Sequence, residues 1–215
     1  MDTKIYLDKS GGLLITTRFS EWENNMRLGI FPQQHFLLID TFALKSNHII
    51  LKSVSFDKVP LKDFVTINNY LKYIEFDEVA IHECNLINVQ LPNCKHLILG
   101  IKVKLNLSNE ILLSIQKITF LSLKTFRGKI LNDLNNIKDL IVWDDIGFIN
   151  ELLKKIPYIE ILQLFKTNLE TLDISLNHHL CLLELYNSKK LKRLEFTKDN
   201  MPNKISFEMC PNLVI

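Results

Sequence analysis

Apolar residues along this chain fall into a short phrase that keeps returning. Residues 159–185 read Ile159-x-x-Leu162-x-Leu164, Leu169-x-x-Leu172-x-Ile174 and Leu180-x-x-Leu183-x-Leu185, the same phrase three times at spacings of 10 and 11 residues. The last two apolar positions of each phrase are two apart, the alternation of a strand with one buried face. Two phrases make a unit of about 21 residues. Apolar phrases at a fixed long period predict stacked structural units rather than one closed core.

The same spacing extends over the chain from residue 49. The first apolar position of each unit falls at Leu51, Leu71, Cys94, Ile118, Ile137, Ile159, Leu180 and Pro202, in steps of 19 to 24 residues. Three and five residues further on stand Val54/Phe56, Ile74/Phe76, Leu97/Leu99, Leu121/Leu123, Leu140/Val142, Leu162/Leu164, Leu183/Leu185 and Ile205/Phe207. Of these 24 positions only Pro202 is not a core-type apolar residue, in a chain that is 47% apolar, so chance does not produce the pattern. In the fourth unit Ile115-x-x-Ile118-x-Phe120 fits as well. Between these strands, residues 63–71, 108–116, 130–134 and 148–155 predict short helices. Leu86-x-x-Val89-x-Leu91, Leu169-x-x-Leu172-x-Ile174 and Leu191-x-x-Leu194-x-Phe196 predict second strands on the return side.

This repeat resembles the leucine-rich repeat family. The resemblance implies an α/β fold: a leucine-rich-repeat-like solenoid of about 7–8 units over residues 49–215, with a parallel sheet on the concave face and short helices or strands on the return side. One departure matters. The family usually places Asn eight residues after the first apolar position, and here Val59, Val79, Lys102, Phe126, Asp145, Thr167 and Ser188 stand there. The turns must therefore satisfy their backbone groups by other means.

Residues 1–48 do not carry the phrase. They predict strands at 4–8 and 13–17 about the Gly11-Gly12 turn, a helix at 21–27 behind the capping box Ser20-Glu-Trp-Glu23, and a strand at 35–41. Their expected role is to cap the open first unit, with a separate binding subdomain as the alternative.

Positions between the inward residues face outward, on the usual binding side of such stacks. Six residues after each first apolar position come Asp57, Asp77, Gly100, Lys124, Trp143, Phe165, Tyr186 and Glu208. Trp143, Phe165 and Tyr186 fall in register on successive strands and predict one aromatic patch, to which Tyr73, Phe120 and Ile141 add. The acids on this face, among them Glu75, Asp77, Asp139, Asp144 and Glu184, number eight against four bases. An aromatic centre with an acidic rim predicts a protein partner with a basic surface and argues against nucleic acid there.

Composition adds exclusions. Formal net charge is +2 and Gly and Pro number 6 each, pointing to neither a bulk polyanion binder nor long linkers. No signal-peptide pattern and no long apolar run is present, and the four cysteines are scattered, so a cytoplasmic, reduced protein without membrane contact is expected. His82-Glu-Cys84 and Cys94-Lys-His96 have the residue types of a zinc site, but Cys94 takes an inward position, so no metal is expected. Asp144-Asp145 reads as a solvated turn. With no nucleophile motif and no phosphate loop, the chain is expected to be non-enzymatic, with no catalytic residue and no cofactor. The specific case is an immunity protein neutralising a cognate toxin. The alternative is a structural, self-assembling protein that associates with copies of itself through its last, open strand.

Overall fold

The computed structural model describes residues 4–7, 12–16, 52–71, 74–108, 112–145 and 147–214. The predicted helix at 21–27, the strand at 35–41, Leu51 and Tyr73 lie outside the described residues. The protein is α/β and mostly parallel. One sheet has the strands β1 (Lys4–Leu7), β2 (Gly12–Thr16), β3 (Ser53–Asp57), β4 (Glu75–His82), β5 (Asn93–Leu99), β6 (Lys117–Phe120), β7 (Asp139–Trp143), β8 (Ile161–Phe165), β10 (Leu182–Tyr186) and β12 (Lys204–Glu208), in that spatial order. The hairpin of β1 and β2 is antiparallel, and every later neighbour pairs in parallel. Two return segments, β9 (Thr171–Asp173) and β11 (Arg193–Glu195), form a second, two-stranded parallel sheet.

From β2 to β10 the strands of the large sheet bury two alternating residues on one side. Val54 and Phe56, Val79 and Ile81, Leu97 and Leu99, Leu140 and Val142, Leu162 and Leu164, and Leu183 and Leu185 are all essentially inaccessible. Each such side chain contributes about 2 kcal/mol of burial. β2 joins the same register through Leu13 and Ile15, opposite Val54 and Phe56, so the parallel sheet begins one strand earlier than the repeat phrase suggested.

Two predicted units are displaced. Val54 and Phe56 sit opposite Val79 and Ile81, so the second unit is Phe76-x-x-Val79-x-Ile81 rather than the phrase beginning at Leu71. Leu71 instead closes helix α1 (Leu61–Leu71), whose Phe64, Ile67 and Leu71 are buried at helical spacing, with Phe64 against Phe56 at 4.6 Å. The fourth unit is Ile115-x-x-Ile118-x-Phe120, because Ile118 and Phe120 pair with Leu97 and Leu99. Apolar helix ends and apolar turn residues mimic the phrase at both places, and strand pairing decides between them.

Return segments agree in part. α1 and α2 (Ile149–Leu153) occupy two predicted helices, and β9 and β11 two predicted second strands. Leu86–Leu91 forms a turn, not a strand, and Ile130 makes an isolated bridge to Leu107, not a helix. In the predicted helix at 108–116, residues 112–116 are turn and coil, and 109–111 lie outside the described residues.

Candidate functional site

The outward face is built by a turn that repeats. One residue past the outermost position of the strand, Lys58, Glu83, Asp144, Lys166, Asn187 and Met209 all have φ between 48° and 58°. A side chain in that left-handed region costs of order 1 kcal/mol, so six recurrences mean that the stack requires the bend. The bent residue donates its N–H to the neighbouring unit: Asp144 to the Phe165 carbonyl (3.0 Å), Lys166 to Tyr186 (2.9 Å) and Asn187 to Glu208 (2.9 Å). These bonds hold the last outward residue of successive strands in line.

The bend also turns the next side chain inward. Val59, Cys84, Asp145, Thr167, Ser188 and Cys210 are all buried at this point. Asp145 is therefore no solvated turn residue. Its carboxylate accepts from the N–H groups of Gly147 (3.0 Å), Phe148 (2.9 Å) and Ile149 (3.2 Å), opening α2, and from the Thr167 hydroxyl (3.1 Å). Thr167 in turn accepts from the Leu169 N–H at 3.3 Å. Asn side chains satisfy other turns from different positions. Asn177 donates to the carbonyls of Leu153 (3.2 Å) and Ile156 (2.9 Å), and Asn200 to those of Ile174 (2.9 Å) and Ser175 (2.7 Å).

With the register fixed, the outermost row reads Asp57, His82, Gly100, Leu121, Trp143, Phe165, Tyr186, Glu208. The three aromatics stack as expected. Trp143 and Phe165 lie 4.0 Å apart with ring planes 5° from parallel, and Phe165 and Tyr186 lie 4.8 Å apart at 7°. Trp143 is exposed and the other two are half-buried. Ile141 lies on the same face, as do Ile161 and Leu182, directly paired across β8 and β10. The sequence reading missed Ile161 and Leu182, although each stands two residues after a first apolar position, where outward side chains fall. Between the two apolar rows Gln163 donates a hydrogen bond to Glu184.

Other predicted members separate from this patch. Phe120 is buried, edge-on to Phe126 at 5.2 Å, because its unit begins three residues earlier than assumed. Lys124 lies in a 3-10 turn beyond β6, off the row. Glu75 and Asp77 stand at the start of β4, three strands from β7, which is about 14 Å at ordinary strand spacing. Asp77 is ion-paired with Lys95 at 3.1 Å. Asp139, Asp144 and Glu184 remain on the face of β7 to β10.

The charge picture shifts accordingly. On outward positions of β3 to β12 the acids are Asp57, Glu78, Glu83, Asp139, Asp144, Glu184 and Glu208, and the bases are Lys58, Lys117, Lys166 and Lys204. Burial raises the Asp139 carboxyl above its ordinary range, against the opposing pull of Lys117. Beside the aromatic row, Lys166, Lys189 and Lys190 line a shallow cleft of about 400 Å³ with Asp144 and Asn187. The strands beside the rings therefore carry mostly acids, while the turns next to them mix Asp144 with Lys166, Lys189 and Lys190.

The cysteine and histidine pairs are engaged structurally. Cys84 and Cys94 are buried, and burial pushes their thiols up to about 11 and about 12. His96 Nδ1 lies 3.2 Å from the Glu78 carboxylate and Nε2 lies 2.8 Å from the Thr119 hydroxyl. Among the described residues no helix is long and apolar enough to cross a membrane. No known protein family matches the chain, and neither does any curated protein or solved structure.

Proposed function

We propose that this chain is a non-enzymatic protein-binding module, a leucine-rich-repeat-like solenoid that holds a partner protein on the outward face of β7, β8 and β10. The observation that carries the reading is the stack of Trp143, Phe165 and Tyr186, with Trp143 exposed and the other two partly open to solvent, beside Ile141, Ile161 and Leu182. Large rigid rings give contact area at little entropic cost, and Trp and Tyr are the residues that most often dominate binding energy. The partner presents an apolar strip to this patch and basic side chains to Glu184, Glu208 and Asp144.

The test begins with a photoreactive residue in place of Ile141, used to trap and identify the protein that covers the patch in its native cells. Calorimetric titration of that purified protein should then show a loss of roughly 100-fold or more in affinity for the triple variant Trp143→Ala, Phe165→Ala, Tyr186→Ala. Glu78→Ala, on the other half of the sheet, should leave affinity within about twofold. Equal affinity for wild type and triple variant overturns the proposal, and so does a trapped protein with no basic surface.

A further inference from the structure

We propose that β12 is a self-complementary edge, through which two copies of this chain join into one continuous sheet about a two-fold axis at Ser206. The reading does not rest on the aromatic face and can fail independently of it.

The observation is an abrupt change at the last strand. Leu183 and Leu185 of β10 are fully buried, whereas the equivalent residues of β12, Ile205 and Phe207, are half-buried and 50% exposed. Met201, Met209 and Val214 of the same last unit are also exposed. Among the described residues β12 pairs with β10 on one side and with no strand on the other. A strand with an open edge and a bared apolar face is a template for pairing.

The backbone limits how a second strand can dock. The Lys204 N–H donates to the Cys181 carbonyl at 3.0 Å, and the Glu208 carbonyl accepts from the Asn187 N–H at 2.9 Å. Backbone groups alternate sides along a strand, so Lys204, Ser206 and Glu208 serve β10 while Ile205 and Phe207 direct theirs to the open edge. Two copies of β12 running antiparallel can then pair in a register that sets Ile205 opposite Phe207 of the other copy, twice over. Each such pair exchanges both of its backbone hydrogen bonds.

Side chains select this register over its neighbours. Centred on Ser206, it places Lys204 opposite Glu208 of the second copy, and Glu208 opposite Lys204, on the outward face at the closer, non-hydrogen-bonded positions. Centring on Ile205 or Phe207 instead leaves both charges opposite other residues. The two-fold also keeps the inward sides together, so Ile205 and Phe207 of each copy extend the other's core. A single-sign edge would repel its own image; this one attracts it.

Sedimentation equilibrium on the full chain tests the inference. Wild type should sediment as a dimer of twice 25.1 kDa. Lys204→Glu and Glu208→Lys, both at exposed positions, should each weaken the dimer by roughly tenfold or more, because each turns two attractive pairs into like-charge pairs. The double variant carrying both changes should dimerise like wild type. A mixture of the two single variants should form the heterodimer, whose pairs are again opposite in sign. A wild-type monomer at millimolar concentration overturns the proposal, as do single reversals that leave the dimer unchanged or a double variant that stays monomeric.

Discussion

The two halves of the outward face share one backbone and differ in what they do with it. On β3 to β6 the outward charges are answered within the protein. Glu78, His96, Lys117 and Asp139 follow one another on neighbouring strands, with Glu78 bonded to His96. Lys58 pairs with Glu83 at 3.4 Å, and the His82 ring lies over Gly100, where a Cβ would come within 1.9 Å of its Nδ1. On β8 and β10 the first outward row turns from charged to apolar, at Ile161 and Leu182, and from β7 to β10 the outermost row is aromatic. A surface whose polar groups are already paired has little to offer a partner, whereas exposed stacked rings gain by being covered. The inward strand residues of both halves are alike, so along the strands the two halves differ only in what they turn outward.

The largest expected break in this comparison is at the buried turn position, which is Asp145 in one half and Cys84 in the other. Asp145→Ala leaves three backbone N–H groups and the Thr167 hydroxyl without their acceptor in a buried site. The expected loss is about 3 kcal/mol by urea denaturation. Cys84→Ala removes a small buried thiol with weak bonds to the carbonyls of His82 (3.1 Å) and Phe56 (3.8 Å). Its expected loss is about 1 kcal/mol. Equal losses would mean that the turns of the two halves are held in the same way.

The difference between those turns marks the reach of sequence reading here. Inward positions were legible wherever the phrase met no competitor, as at Ile137, Ile159 and Leu180, all buried. The phrase failed at Leu71 and Ile118, where helix and turn residues of the same apolar kind offered a second alignment that only strand pairing resolves. That failure moved Phe120 from the face to the core and brought Glu75, Asp77 and Lys124 onto a row they do not occupy. Trp143, Phe165 and Tyr186 survived because their units have no competing alignment. The left-handed bends were not legible as a repeat, since only Asp144 and Asn187 among the six are of types that favour positive φ, and Lys, Glu and Met carry no such signal. The buried role of Asp145 was hidden for a related reason: an Asp-Asp pair looks solvated until the bend sends one carboxylate inward.

A smaller contrast lies in the outermost row. Phe165 stacks on both Trp143 and Tyr186, so Phe165→Ala loses two ring contacts and should cost about 1.5 kcal/mol without unfolding the sheet. In the other half Gly100→Ala adds a methyl group where the His82 ring sits. Because the ring can swing aside, the expected cost is about 1 kcal/mol, with the His82 ring resonances moving toward solvent-exposed positions in an NMR spectrum. A far greater cost for Gly100→Ala than for Phe165→Ala would make the paired half, not the aromatic one, the sensitive part of the face.

The gentlest test uses pH and reports on the paired half alone. Desolvation lowers the His96 pKa below its ordinary value, Glu78 and Asp139 pulling upward and Lys117 adding to the fall. The unfolded chain, with a His pKa of about 6.5, then binds more protons than the folded one in the window just below that value. Stability should be fully present above the window and decline as pH falls through it. Asp139 acts in the opposite sense, because its raised carboxyl favours the folded state on acidification, in a window that extends upward from the ordinary carboxylate pKa. Urea denaturation of wild type and His96→Gln, each compared between about pH 7 and pH 5.5, isolates the histidine, because both proteins carry Asp139. The difference between wild type and His96→Gln should show wild type losing more on acidification, by less than either substitution above because the ring is only partly buried and Glu78 opposes the shift. Equal pH dependence in the two proteins would mean that Glu78 cancels the desolvation, and the charged ladder would then hold its proton as readily folded as unfolded.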